Sequence, residues 1–395
     1  MSADVLTALP SRSLQARIGA AHRPRRESRH ALWPGDPALR LLARLLFASP
    51  FVAAGVLVAL GGGLPDTPNT LLIARAGSMP WDHADPSWVG RLYPPITTVL
   101  AAVVPGGAYG LTAIGGVAAG LLLHAVVQRM RQRGFALSTV IVMTLALAAN
   151  PLFGYAATES LPAFLGLGLF GLGFADLVRF TTERDTQSGF MAGIMLMLAA
   201  LCDPSGVVYV VAATVAAPLL SAGTGRSLGR GFANTLVVLF PTATAFGGVM
   251  LLQWVFVGDP MSVVHELVTI DPARLAIFTT ITASPLGWLW LASMGVTWAI
   301  GLLVERPAAV VLTFLLFSAL IGGYLLGLIP YSAAGTIYLM MVLAAIGLVP
   351  AARNARLTIT VNVLGLLELV IAWTTALNRP IVVEWMTTLL QPLIR

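Results

Sequence analysis

The chain has 395 residues, 57% of them apolar or aromatic and only 10% charged, against about 25% charged residues in ordinary soluble domains. Its formal charge of +6 comes from 23 basic residues, every one an arginine, set against 17 acids. With a mean hydropathy of +0.86 cut into pieces by 39 glycines and 25 prolines, this balance excludes a soluble enzyme and describes an all-α polytopic membrane protein.

The predicted elements follow in chain order. Residues 1–40 read as a disordered, basic cytoplasmic tail carrying Arg12, Arg17, Arg23, Arg25, Arg26, Arg29 and Arg40. The first apolar run, Leu41 to Gly63, starts too far from the N-terminus for a cleavable signal peptide and is expected to stay as the first span. A first outer loop over 64–107 contains Pro94 to Val104, too short to cross and expected as a juxtamembrane helix. Further spans are predicted at Tyr109 to Val127, Ala136 to Phe153, Leu161 to Val178, Phe190 to Leu201, Val207 to Leu220 and Leu236 to Val257. Four more follow at Pro285 to Val304, Ala308 to Leu328, Thr336 to Val349 and Leu357 to Ala376. The membrane domain is thus expected over 41–379, with about 11 transmembrane helices of about 20 residues each. That leaves no room for a soluble catalytic domain, so chemistry falls to loops and helix ends. Residues 380–395 place Val382, Val383, Trp385, Met386, Leu389 and Leu390 at near-helical spacing, which suits an extracytoplasmic interfacial helix.

Charge sets the topology. With the N-terminus inside, 18 arginines fall in inner segments and only five, Arg75, Arg91, Arg274, Arg379 and Arg395, in outer ones. The positive-inside rule then places the N-terminus in the cytoplasm and the C-terminus outside. The total absence of lysine points to a GC-rich bacterial genome, hence a bacterial plasma membrane. Arginines confined to short loops between spans set orientation and argue against nucleic acid as a partner. Cys202 is the only cysteine, so neither an intrachain disulfide nor a cysteine-based metal site is expected. Asp66, Asp82, Asp85, Glu159, Asp203, Asp259, Glu266, Asp271 and Glu384 all fall outside or at outer helix ends. Outer acids beside few outer bases suggest an extracytoplasmic site.

The first outer loop concentrates chemistry: Asp66, then Trp81-Asp82-His83-Ala84-Asp85, Trp88, and Arg91-Leu92-Tyr93-Pro94-Pro95. A carboxylate can take a proton from a hydroxyl, an arginine can hold a phosphate, and aromatic faces can stack on a sugar. A plainer reading stands beside this one, with Trp81, Trp88 and Tyr93 as interfacial anchors and the acids as solvating groups.

An acid directly after the first span (Pro65-Asp66), a loop of about thirty residues, Tyr93-Pro94-Pro95, a short helix and a span ending in Arg129 to Arg133 together resemble the C-fold (GT-C) integral membrane glycosyltransferases. The resemblance continues through Asn150-Pro151 to Thr158-Glu159 and the Asp203-Pro204-Ser205-Gly206 turn, and covers about the first 220 residues. It implies a GT-C-like fold, a polyprenyl-phosphate sugar as donor, and an extracytoplasmic cell-envelope glycan, lipid or protein as acceptor. It implies Asp66 as catalytic base, Glu159 as supporting carboxylate, and Asp82, Asp85, Arg91, Tyr93, Trp81 and Trp88 as substrate-binding residues. No metal ligands are assigned, and no cofactor beyond the lipid-phosphate sugar, with a divalent cation left open. Two positions depart from the family pattern: Thr67 stands where many members carry a second acid, and Asp203 where many carry a base.

Elsewhere, His265-Glu266 with Asp271 falls short of a metal site, and Glu368 inside the last span is either paired with a neighbouring helix or functional. Two other functions remain open: a non-catalytic GT-C-like scaffold that docks a membrane protein partner, and a transporter of lipid-linked intermediates. The arginine split makes the first prediction. Tags at the N-terminus and around Arg131 should be shielded in intact cells, and tags near Asp82 and at the C-terminus accessible; a shielded C-terminus would mean one span fewer or more.

Overall fold

The computed structural model describes residues 32–81, 86–183, 185–222, 228–303, 307–329, 336–348 and 354–394. Among them the chain forms seventeen α-helices and no strand. In order these are α1 (Pro37–Leu60), α2 (Pro68–Gly77), α3 (Pro95–Val103), α4 (Ala108–Gln132), α5 (Leu137–Ala148), α6 (Pro151–Glu159), α7 (Leu161–Glu183), α8 (Thr186–Cys202) and α9 (Pro204–Ala222). There follow α10 (Leu228–Val257), α11 (Ser262–Leu267), α12 (Pro272–Ala283), α13 (Leu289–Leu303), α14 (Pro307–Leu325), α15 (Thr336–Leu348), α16 (Ala355–Leu377) and α17 (Pro380–Ile394).

Among the described residues five helices are long and apolar enough to cross a membrane: α1, α4, α7, α10 over Phe232–Val257, and α16. The pair α5 and α6 passes the same test only when taken together, bent by 56° at the break between them, which makes six where the pair is counted as one span. The bend has a local cause, because Asn150 is held extended before Pro151 and its side chain caps the new helix, accepting from the Leu152 N–H at 2.9 Å. Six further apolar helices are 10–17 residues long. The chain is a multi-pass membrane protein.

Helix starts follow capping chemistry. Asp36 accepts from the N–H groups of Ala38 and Leu39, with Pro37 in the first turn, so α1 begins four residues before the end of the expected tail. Residues 1–31 of that tail lie outside the described residues. The juxtamembrane helix is present as α3 and the C-terminal one as α17. Within 64–107, α2 replaces what reads in the sequence as plain loop, and the later outer segment carries α11 and α12.

The core is built on α7. It buries 78% of its apolar stretch and α4 buries 61%, whereas α10 buries 11% and presents most of its surface outward, as a lipid-facing helix would. Phe164, Phe170 and Phe174 of α7 are almost fully buried, and Phe170 lies 5.1 Å from the Tyr209 ring of α9. Lipid tails are as apolar as leucine, so close packing has to hold such helices together. On α4, Gly116 and Gly120 face α1 so closely that added Cβ atoms would stand 2.9 Å from the Val52 nitrogen and 2.6 Å from the Ala48 nitrogen. Polar pairs tie the remaining helices. Arg129 of α4 meets Asp176 of α7 at 2.6 Å. In the last span, both carboxylate oxygens of buried Glu368 accept from Ser293 of α13, at 3.0 and 2.9 Å, so Glu368 is paired with a neighbouring helix.

The α1–α4 contact is testable. Gly120→Ala drives a methyl into backbone and should cost about 1–3 kcal/mol, read as a lower unfolding midpoint in detergent. Gly247→Ala, on α10 with open space around it, should cost nothing.

Candidate functional site

At the end of α1, Gly62 and Gly63 take φ of +105° and +72°, a region that costs glycine no steric penalty. Asp66 follows at φ +54°, an unusual conformation outside glycine that aspartate tolerates better than most. Thr67 then caps α2, its hydroxyl oxygen accepting from the Thr70 N–H at 3.3 Å, and Pro68 occupies the first turn. The chain has reversed direction within seven positions of Leu60.

This reversal delivers Asn69, fully buried, to the break between α6 and α7. Its Nδ2 donates to the Thr158 carbonyl at 2.8 Å and its Oδ1 accepts from the Leu161 N–H at 2.9 Å. Thr112 of α4 donates to the same carbonyl at 2.6 Å. Ser160, at φ −138° and ψ 58°, cannot continue a helix, so these side chains satisfy groups that the break would otherwise leave without partners. Glu159 is thereby held 6% exposed. It lines a cleft of about 320 Å³ with Leu64, Pro65, Thr70, Tyr109 and Thr112. Asp66 is exposed beside Pro65. A residue from the first loop and one about ninety positions later therefore share one end of the molecule.

A second cleft, of about 430 Å³, opens at the other end of α2 and is lined by Arg75, Ser78, Met79, Pro80, Trp88, Arg91 and Glu266. Arg75 donates to the Arg91 carbonyl at 3.1 Å and lies 3.9 Å from Glu266. Trp81 and Trp88 form a tilted pair 4.8 Å apart, with the Trp81 indole N–H donated to the Ala76 carbonyl. The 3₁₀ turn Pro86–Arg91 is pinned to α10, where buried Gln253 donates to the Gly90 carbonyl at 3.2 Å. At about 1.5 Å per residue, Thr70 on the first cleft and Arg75 on the second lie about 7.5 Å apart along α2. Asp82 and Asp85 lie outside the described residues.

Tyr93 is buried and committed to packing. Its hydroxyl donates to the Ala200 carbonyl at 2.8 Å and its ring lies 5.7 Å from Phe246, and burial raises the phenol above its ordinary range. One turn on, Thr97 donates to the Cys202 carbonyl at 2.8 Å, so Tyr93 and α3 together cap the C-terminus of α8. Asp203 caps α9, with Oδ2 accepting from the Ser205 N–H at 3.0 Å and from its hydroxyl. Burial pushes the Asp203 carboxyl up to about 6, against the lowering effect of Ser205. In the segment after α10 His265 meets Asp259 at 3.3 Å. Among the described residues no group of three His, Cys, Asp or Glu side chains converges to hold a metal.

Sequence reading assigned site roles to Asp66, Glu159, Arg91, Trp81 and Trp88 but none there to Asn69, Thr112, Arg75 or Glu266, whose places depend on partners 16 to 191 positions away. Only the Thr67-Pro68 pair, an N-cap followed by a first-turn proline, signalled α2 locally. Asn69→Ala leaves the Leu161 N–H without its partner and should lower stability by about 1–3 kcal/mol, seen as a lower unfolding midpoint in detergent. No family model, no curated protein and no solved structure matches the chain.

Proposed function

We propose that the chain is an inverting membrane glycosyltransferase of GT-C type that moves a sugar from a polyprenyl-phosphate carrier to an extracytoplasmic cell-envelope glycan, lipid or protein acceptor. The observation that carries this reading is the Asn69 clasp, which holds the segment carrying Asp66 against the helix break carrying Glu159, where Glu159 lines a cleft with Leu64, Pro65 and Thr70. On this reading five of the short apolar helices also cross, which with the six longer candidates makes eleven crossings and leaves Pro380–Ile394 at the interface, and the arginine split supports an inside N-terminus and an outside C-terminus.

In this reaction the exposed Asp66 carboxylate takes the proton of the acceptor hydroxyl. The freed oxygen bonds to the anomeric carbon from the face opposite the phosphate. The bond from that carbon to the phosphate oxygen breaks, and the electron pair leaves with the phosphate. Arg91, with Arg75 beside it, supplies positive charge where that negative charge develops. Trp81 and Trp88 offer aromatic faces to a sugar ring, and Glu159 supports the base.

A non-catalytic scaffold is favoured by a separate observation: both departures from the family pattern serve as helix caps, Thr67 for α2 and Asp203 for α9. A transporter of lipid-linked intermediates finds no support in Glu368, whose carboxylate oxygens are both held by Ser293.

Substitutions separate enzyme from scaffold. Asp66→Asn should cut turnover about a hundredfold or more with the unfolding midpoint unchanged, and Asp82→Asn and Asp85→Asn should do less. Arg91→Gln should weaken donor binding, and Arg91→Lys should restore only part of it because the bidentate grip is lost. Purified protein that binds no polyprenyl-phosphate sugar, together with cells indifferent to substitution of Asp66, Glu159 and Arg91, would replace the enzyme by the scaffold.

A further inference from the structure

The C-terminal helix α17 touches the supports of both acids. Trp385 is buried, and a Cβ on Gly154 of α6 would meet its indole at 2.9 Å. Its ring stands edge-on to Tyr155, and its Nε1–H donates to the Thr158 hydroxyl at 3.0 Å. That hydroxyl donates onward to the Gly154 carbonyl at 3.1 Å, so both of its directions are fixed. Three residues along the same face of α17, the Thr388 carbonyl closes on the end of α1, where a Cβ on Gly61 would lie 2.3 Å from it. Gly61 leads into the corner that carries Asp66, and Thr158 immediately precedes Glu159 in the chain. An ordinary interfacial tryptophan keeps its N–H at the headgroups. Here the N–H is consumed inside the protein, one residue from a buried carboxylate, while Leu390, Leu393 and Ile394 remain exposed on the same helix.

We propose that α17 is a positioning element of the site and that Trp385 is a positioning residue which, by fixing Thr158 and the last turn of α6, holds the adjoining Glu159 at the wall of the cleft. Its kinetic consequence rests on the transferase reading; its structural consequence does not. A carboxylate whose neighbour loses a fixed orientation samples more arrangements, and displacement of a supporting group slows a positioned reaction by up to about a hundredfold.

The experiment uses the full chain in detergent. Trp385→Phe keeps the ring and removes the N–H, and Thr158→Val keeps the shape and removes the acceptor. Each protein is treated with dicyclohexylcarbodiimide, and adducts at Glu159 are quantified by peptide mass spectrometry, with buried Glu368 as the internal comparison. Both variants should change the Glu159 labelling rate by about threefold or more, as loss of one typical hydrogen bond would, and leave Glu368 unchanged. The double variant should change it no further than either single one, because both remove the same bond. In transfer assays kcat should fall about tenfold while KM for the lipid donor stays within about twofold. Glu159 labelling equal to that of the unsubstituted protein, or an equal change at Glu368, overturns the positioning role. The expected labelling pattern in a protein that transfers no sugar would instead overturn the transferase reading and leave the placement of Glu159 by α17 standing.

Discussion

Ending one helix and starting another inside a protein leaves backbone groups that water cannot reach, and one end of this molecule is assembled on such a break at Thr158 to Leu161. The Thr158 carbonyl and the Leu161 N–H would each stand without a partner there, at a cost comparable to a lost hydrogen bond. Asn69 supplies a donor to the first and an acceptor to the second, Thr112 adds another donor, and the Trp385 N–H engages the Thr158 hydroxyl. Four segments, α2, α4, the α6–α7 junction and α17, are thus held by side chains that answer one backbone interruption. Glu159 is buried because it lies inside that interruption.

The constraint propagates outward along α2. A ten-residue helix with Asn69 locked in its first turn has little freedom at its last, so Arg75 is carried to a defined place beside the Arg91 carbonyl and Glu266. The opposite end of the loop is held separately. Tyr93 and Thr97 satisfy the last carbonyls of α8, and Gln253 holds Gly90 to the end of α10. The loop therefore spans two anchored ends, with one cleft on each side of its helix. Its anchors are neutral hydrogen bonds at buried positions, and its charged groups, Asp66, Arg75 and Arg91, face the clefts or the surface.

Beneath this face, close contact takes over from hydrogen bonding. Gly116 and Gly120 let α4 approach the backbone of α1, and the aromatic rings of α7 fill the space that larger gaps leave. Two buried ionisable groups within the helices have polar partners on neighbouring helices, Arg129 in Asp176 and Glu368 in Ser293. In a low-dielectric interior an unpaired charge is costly, so these residues tie helices together.

The sequence by itself determined what depends on neighbours in the chain. Apolar length predicted the longer helices, and at Asp36-Pro37, Thr67-Pro68, Asn150-Pro151 and Asp203-Pro204 a cap and a first-turn proline set helix starts within four residues. The helix after Thr67-Pro68 was not predicted, since ten residues with Asn69 and Thr70 in the first turn have too little apolar length to stand out. Tertiary structure alone decided that Asn69 meets Thr158, that Tyr93 ends on Ala200 and that Trp385 reaches the residue before Glu159, over separations of 89, 107 and 227 positions. No periodicity encodes such pairings. They form because a buried donor or acceptor must find whichever complementary group the packed helices bring near, and that choice exists only once the helices are packed.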